Sequence, residues 1–167
     1  MNVRLKFGQQ GVKLDLSDRH AISILRTPGK HVTTTDAAVI DQALQAPVDS
    51  PTLEDFFRPQ DRVAVIVPDK TRKCKVHAIL PILLKKLETR GVRRENILIL
   101  FANGAHSRQT EAQKISILGE KVYRRYTNEE NNARDEFVFT PLGTTERGTP
   151  VTIHQAYQCR QSARRFR

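Results

Sequence analysis

The fifteen residues Val63–His77, VAVIVPDKTRKCKVH, decide how the rest of the chain is read. Five apolar residues, VAVIV, run without interruption and stop at Pro68; Asp69, Thr71 and Arg72 follow at once, and then a cluster of cations. An unbroken apolar run of that length, rich in β-branched residues, marks a strand buried on both faces. A second such run, ILILF at Ile97–Phe101, ends as abruptly in Asn103, Gly104 and His106. Between the two, Val76, Leu80, Leu83, Leu84 and Leu87 recur at helical spacing, and Gly91 stands where a C-terminal helix cap belongs. The sequence therefore predicts a βαβ unit, with Pro81 as the one residue that sits awkwardly in its helix.

In open α/β sheets the ligand crevice lies beyond the carboxyl ends of the strands. Neighbouring parallel strands put the loops after VAVIV and ILILF on one edge of the sheet, so Asp69, Arg72 and His106 are expected to converge there. Arginine clamps a carboxylate or phosphate through its two-pronged fork, and Thr71 can donate to the same anion. Histidine exchanges protons near neutral pH, which makes His106 the acid/base candidate. The Asp-x-x-Arg spacing admits a plainer reading as well, a local ion pair that ties down the loop. Spacing alone yields an anion-binding crevice and no reaction.

Outward from this centre, VRLKF and VKLDL flank Gly-Gln-Gln-Gly and predict an N-terminal β-hairpin. Ala21–Arg26 reads as a third strand. Thr35 is the N-cap of a helix carrying Val39, Ile40 and Leu44, and Thr52–Phe57 makes one short helical turn. On the other side, Thr110 and Gln113 have capping-box spacing for a helix to Leu118. Residues 122–135 are polar and loop-like, EFVFT is strand-like, and two glycines in LGTTERGTPVTIHQ frame a turn before a strand from Val151. The expected fold is α/β, a Rossmann-like parallel-core sheet flanked by helices, with the N-terminal hairpin added.

The 167 residues suffice for one ordinary domain, assigned to residues 1–158, with a basic tail at 159–167. No apolar stretch approaches the roughly 20 residues that span a bilayer, and the first residues alternate in polarity unlike a signal peptide, so a cytoplasmic protein is expected. The two cysteines, Cys74 and Cys159, have no metal-site spacing, and Cys74 has no base in sequence that would make it a nucleophile. The net charge of +10 suggests nucleic acid. Four arginines and no acid occupy the last nine residues, however, and no RNP-like strand, finger or zipper pattern occurs. Glycine patterns for dinucleotides or a P-loop are absent too.

Taken in order, VIVPDKTR, ANGAHSRQTE and the acid-rich stretch before LGTTERGTPV resemble the N-terminal domain of the nickel-dependent lactate racemase family, over roughly Met1–Gln155. The resemblance implies racemisation of a small 2-hydroxy acid with a nickel-pincer nucleotide, a pyridinium bisthiocarboxylate mononucleotide. It implies that Asp69, Lys70, Thr71 and Arg72 face cofactor and substrate, and that His106 is one of two proton donor/acceptors. Ser107 stands where the family pattern usually has arginine, and Glu130, Asn131 and Asn132 stand at its Asn-His-Asp stretch. The family continues into a second domain with the cofactor-attaching lysine, the nickel-binding histidine and the second catalytic histidine. The chain is thus expected to be a truncated or frameshifted family member, inactive alone unless a partner chain supplies that half. The alternative is a non-catalytic anion- or nucleotide-binding module.

Overall fold

The structure, a computed structural model, describes residues 1–17, 19, 23, 25, 34–72, 74–135 and 138–155. It divides into two compact units, residues 1–33 and 34–167. Of the expected strand at Ala21–Arg26 only residues 23 and 25 are described, and the boundary at 158 and the basic tail lie outside the described residues.

In the first unit, β1 (Asn2–Phe7) and β2 (Gln10–Asp15) pair antiparallel, with Phe7 opposite Gln10. The four-residue loop suggested by Gly-Gln-Gln-Gly closes to two residues. Gly8 takes φ 59° at the first loop position, a conformation that a hairpin turn of the II′ type demands and glycine supplies without strain.

The second unit opens with α1 (Asp36–Gln45) and α2 (Leu53–Phe56). The hydroxyls of Thr35 and Thr52 accept from the backbone N–H groups of Ala38 and Asp55, satisfying donors that a helix start leaves unpaired. Then come β3 (Val63–Pro68), α3 (Val76–Thr89), a 3-10 turn at Arg94–Asn96 and β4 (Ile97–Gly104). Helix α3 ends in a Schellman motif: Val92 N–H reaches the Leu87 carbonyl, Gly91 N–H the Glu88 carbonyl, and Gly91 has φ 97°. Leu87 and Val92 are both buried beside it, the apolar contact that accompanies this motif. Pro81 lies inside α3, which starts at Val76 after Lys75 in a left-handed conformation, φ 50°.

Helices α4 (Glu111–Leu118) and α5 (Glu120–Arg125) share Gly119, φ 80°, as C-cap and N-cap, and the Thr110/Gln113 capping box forms as its spacing predicts. They lead to β5 (Thr127–Asn132), and β6 (Phe139–Thr144) with β7 (Pro150–His154) closes the described chain as an antiparallel hairpin. The α5–β5 stretch corrects the loop expected over residues 122–135. Its strand, TNEENN, has no apolar residue; it is a strand because its backbone pairs in parallel with β4 from Leu98–Thr127 to Gly104–Asn132.

The sheet order is β3-β4-β5, all parallel. Alternation places Val63, Val67, Ile97, Ile99 and Phe101 on one face, where they pack with Leu80, Leu84 and Leu87 of α3, Leu118 of α4 and Val122 of α5. Burial on both faces holds for β4, where Leu100 is also fully buried, but not for β3, whose Ile66 is 53% exposed. No described helix is long and apolar enough to cross a membrane. Parallel pairing of Pro68 with Ala102 brings the ends of β3 and β4 to one edge, and the candidate residues with them.

Candidate functional site

At the end of β3 the chain turns over Asp69–Arg72, with Arg72 N–H donating to the Asp69 carbonyl at 3.2 Å. Asp69 is 3% exposed. A carboxylate so buried must be satisfied by donors. One oxygen accepts from the Thr71 hydroxyl at 2.6 Å and the Thr71 N–H at 3.1 Å; the other meets His106 Nδ1 at 2.5 Å. The Thr71 hydroxyl above all, and then His106, outweigh burial and lower the Asp69 pKa to about 2. Near neutral pH Asp69 is therefore ionised and can only accept, so the proton in its bond to His106 belongs to Nδ1. That leaves Nε2 of the neutral ring as the basic nitrogen, on a side chain 58% exposed.

His106 reaches Asp69 because β4 also ends in a tight turn, with His106 N–H donating to the Asn103 carbonyl at 3.1 Å. Gly104 sits in this turn with φ 55°, a backbone shape that a side-chain-bearing residue adopts only under strain. The Asp69–His106 convergence expected from the strand pattern is thus formed, by a direct hydrogen bond rather than mere proximity.

Lys70 joins the same two loops. Its Nζ donates to the Ser107 hydroxyl at 3.1 Å and lies 3.4 Å from the Arg108 carbonyl. Arg72 behaves differently. Among the described residues its side chain has no hydrogen-bond or ion-pair partner, because Thr71 and His106 occupy Asp69, and the local Asp69–Arg72 ion pair does not form. Arg72 instead lines a groove of about 580 Å³ with Lys70, Lys75, His77, Gln113 and the exposed thiol of Cys74. No acid is among its described lining residues. A larger groove of about 800 Å³ lies along α1 and α3, lined by residues such as Ala38, Asp41, Pro81 and Ile82. It shares no lining residue with the strand-end groove; its Asp41 pairs with Lys86 at 2.8 Å, and in the strand-end groove Lys75 pairs with Asp36 at 2.9 Å, which leaves Arg72 as the cation of that groove without a partner among the described residues.

Sequence reasoning missed the support beneath the two loops. Gln109, 7% exposed, accepts from Lys70 N–H at 2.7 Å and donates through Nε2 to Asn103 Oδ1 at 3.1 Å. Its own N–H donates to Glu130 Oε1 at 2.9 Å, and Lys114 Nζ stands 3.4 Å from that oxygen. The only signal was positional: these polar residues fall at the ends of β4 and β5 and just before α4, where crevice-facing groups collect.

Residues 7–161 match the family model described as the lactate racemase N-terminal domain. The chain belongs to that family. It is 24% identical over 156 residues to the lactate racemase of Thermoanaerobacterium thermosaccharolyticum, covering 92% of this chain and 36% of that protein. It is 32% identical over 126 residues to the lactate racemase of Lactiplantibacillus plantarum, covering 75% of this chain and 29% of that one. The lactate racemase apoprotein structure from T. thermosaccharolyticum superposes with a TM-score of 0.78 at 22% identity, over 93% of this chain and 36% of the other. The α/β fold with a parallel sheet and an N-terminal hairpin is thus the fold of this lactate racemase domain. The chain spans about a third of the length of these relatives.

Proposed function

We propose that this lactate racemase-family domain supplies one wall of a 2-hydroxy-acid racemase site: the anion anchor for a nickel-pincer nucleotide and one of two acid/base histidines. The observation that carries the reading is the Asp69–His106 pair, 2.5 Å apart on the sheet edge where the crevice of an α/β fold opens. Beside it, the groove lined by Lys70, Arg72, Lys75 and His77 fits the phosphate and carboxylate groups of a mononucleotide. In this reading the chain holds the anionic part of the cofactor through these cations.

When bound, the nickel-pincer nucleotide supplies a reversible hydride acceptor for the carbon bearing the substrate hydroxyl. His106 Nε2 then takes the hydroxyl proton and returns it. Asp69 holds the Nδ1 proton in place and stabilises the imidazolium that results, the part a carboxylate plays behind a catalytic histidine. Arg72, having no partner to give up among the described residues, anchors an anion, and Lys70 ties the two loops together. Racemisation requires acid/base groups on both sides of the reacting carbon. The second histidine therefore comes from a further domain or a partner chain, and the domain is inactive alone.

Titration calorimetry with nicotinic acid mononucleotide tests the anchor. The charge-assisted bonds of Arg72 predict that Arg72→Ala weakens binding about 10-fold or more, while His106→Ala leaves it within a few-fold. Equal affinity of wild type and Arg72→Ala would remove the groove from the site. Loss of binding only in His106→Ala would move the nucleotide to the dyad.

A further inference from the structure

We propose that Gln109 is the positioning residue of the Asp69–His106 pair. The inference rests on the reading of His106 as the acid/base group, since only a proton-carrying ring needs its tautomer held. Asp69 and His106 stand on different loops, and their alignment depends on how those loops are fastened. Gln109 fastens them from beneath through both ends of one buried amide. Its Oε1 accepts from the N–H of Lys70, the residue after Asp69, at 2.7 Å; its Nε2 donates to Asn103, whose carbonyl starts the His106 turn, at 3.1 Å. Its backbone N–H is tied in turn to Glu130, a side chain 3% exposed on the neighbouring strand β5.

The orientation of this amide is dictated rather than chosen. Lys70 N–H can only donate, so Oε1 of Gln109 must face it, and Nε2 must face Asn103. Asn103 then has to present its Oδ1, and its Nδ2 is left as the buried side-chain atom without a hydrogen-bond partner among the described residues. A buried donor left over in this way is costly and calls for a reason. Satisfying the Lys70 N–H, and so holding the Asp69 turn against the His106 turn, is that reason. Lys70 Nζ on Ser107 is an exposed second tie and does not replace the buried one.

The test reads the His106 ring in the full 167-residue chain by two-bond proton–nitrogen NMR, with thermal melts alongside. Wild type is expected to hold the ring predominantly as the Nδ1–H tautomer. Gln109→Met keeps the length of the side chain and loses both polar contacts, and the Nδ1–H form should become the minor species in the folded protein. Gln109→Glu should keep it: ionised, the carboxylate accepts from Lys70 N–H and from an Asn103 amide turned over; protonated, it accepts from the first and donates to the second. If the methionine variant does not fold, Gln109→Asn, one carbon too short to span both partners, gives the same comparison. A folded Met or Asn variant with an unchanged tautomer, or a folded Glu variant that loses it, would overturn the proposal. No substrate or cofactor enters this measurement, so failure of the racemase reading shows in the mononucleotide titration and failure of the Gln109 clamp shows in the ring spectrum.

Discussion

Replacing Asp69 by asparagine removes the one buried carboxylate on which Thr71 and His106 both converge, and its effect on stability should depend on pH in a defined way. The Thr71 hydroxyl and then His106 lower the Asp69 pKa from 3.8 to about 2. A folded pKa below the unfolded one means that the folded state holds the charged form more tightly. The contribution is therefore fully present above pH 4 and disappears as pH falls toward 2. At about 1.4 kcal/mol per unit it amounts to about 2 kcal/mol at pH 6 and about 1 kcal/mol at pH 3. The asparagine amide cannot titrate, so the stability difference between wild type and variant should shrink by about 1 kcal/mol over that interval. Urea denaturation followed by far-ultraviolet circular dichroism, run on both proteins from pH 6 to pH 3, measures it. The acids that do not contact position 69 are common to both proteins, so their destabilisation at low pH cancels in the difference, and the same comparison in a His106→Ala background keeps the contacting imidazole out of it. A gap that stays constant with pH would show that Asp69 is not a held carboxylate, and the tautomer argument for His106 would lose its basis.

Two further outcomes follow from the same structure. Thr71→Val deletes the hydroxyl that lowers the Asp69 pKa most, so the carbon-13 titration midpoint of the Asp69 carboxyl should rise from about 2 toward 3.8; an unmoved midpoint would assign the depression elsewhere. Leu84→Ala opens a cavity under α3 at a position 1% exposed and should cost about 2–5 kcal/mol by calorimetry, whereas a loss well under 1 kcal/mol would mean that the helix does not cover the sheet as described.

Elements whose side chains announce their surroundings were legible in the sequence. VAVIV and ILILF could be read as strands because unbroken β-branched apolar runs favour a largely buried strand, and Gly91 and the Thr110/Gln113 box mark helix ends because specific backbone donors and acceptors need them. From two strands in parallel the meeting of Asp69 with His106 followed by geometry. By contrast β5 was invisible. TNEENN has polar side chains throughout and becomes a strand only because β4 offers it an edge to pair with, a fact that resides in another part of the chain.

The same division separates the two halves of the candidate site. The sequence by itself determined which groups stand at the strand ends, since a strand of fixed rise and alternating faces ends where its apolar run ends. It also carried the family resemblance, because three ordered motifs survive in the linear pattern. Only the tertiary structure decided how those groups are shared out: Asp69 to Thr71 and His106 rather than to Arg72, Lys70 to the loop opposite, Arg72 to the open groove. A carboxylate has few acceptor sites, and which donors fill them depends on residues that lie 37 positions apart in the chain and within hydrogen-bonding distance in space.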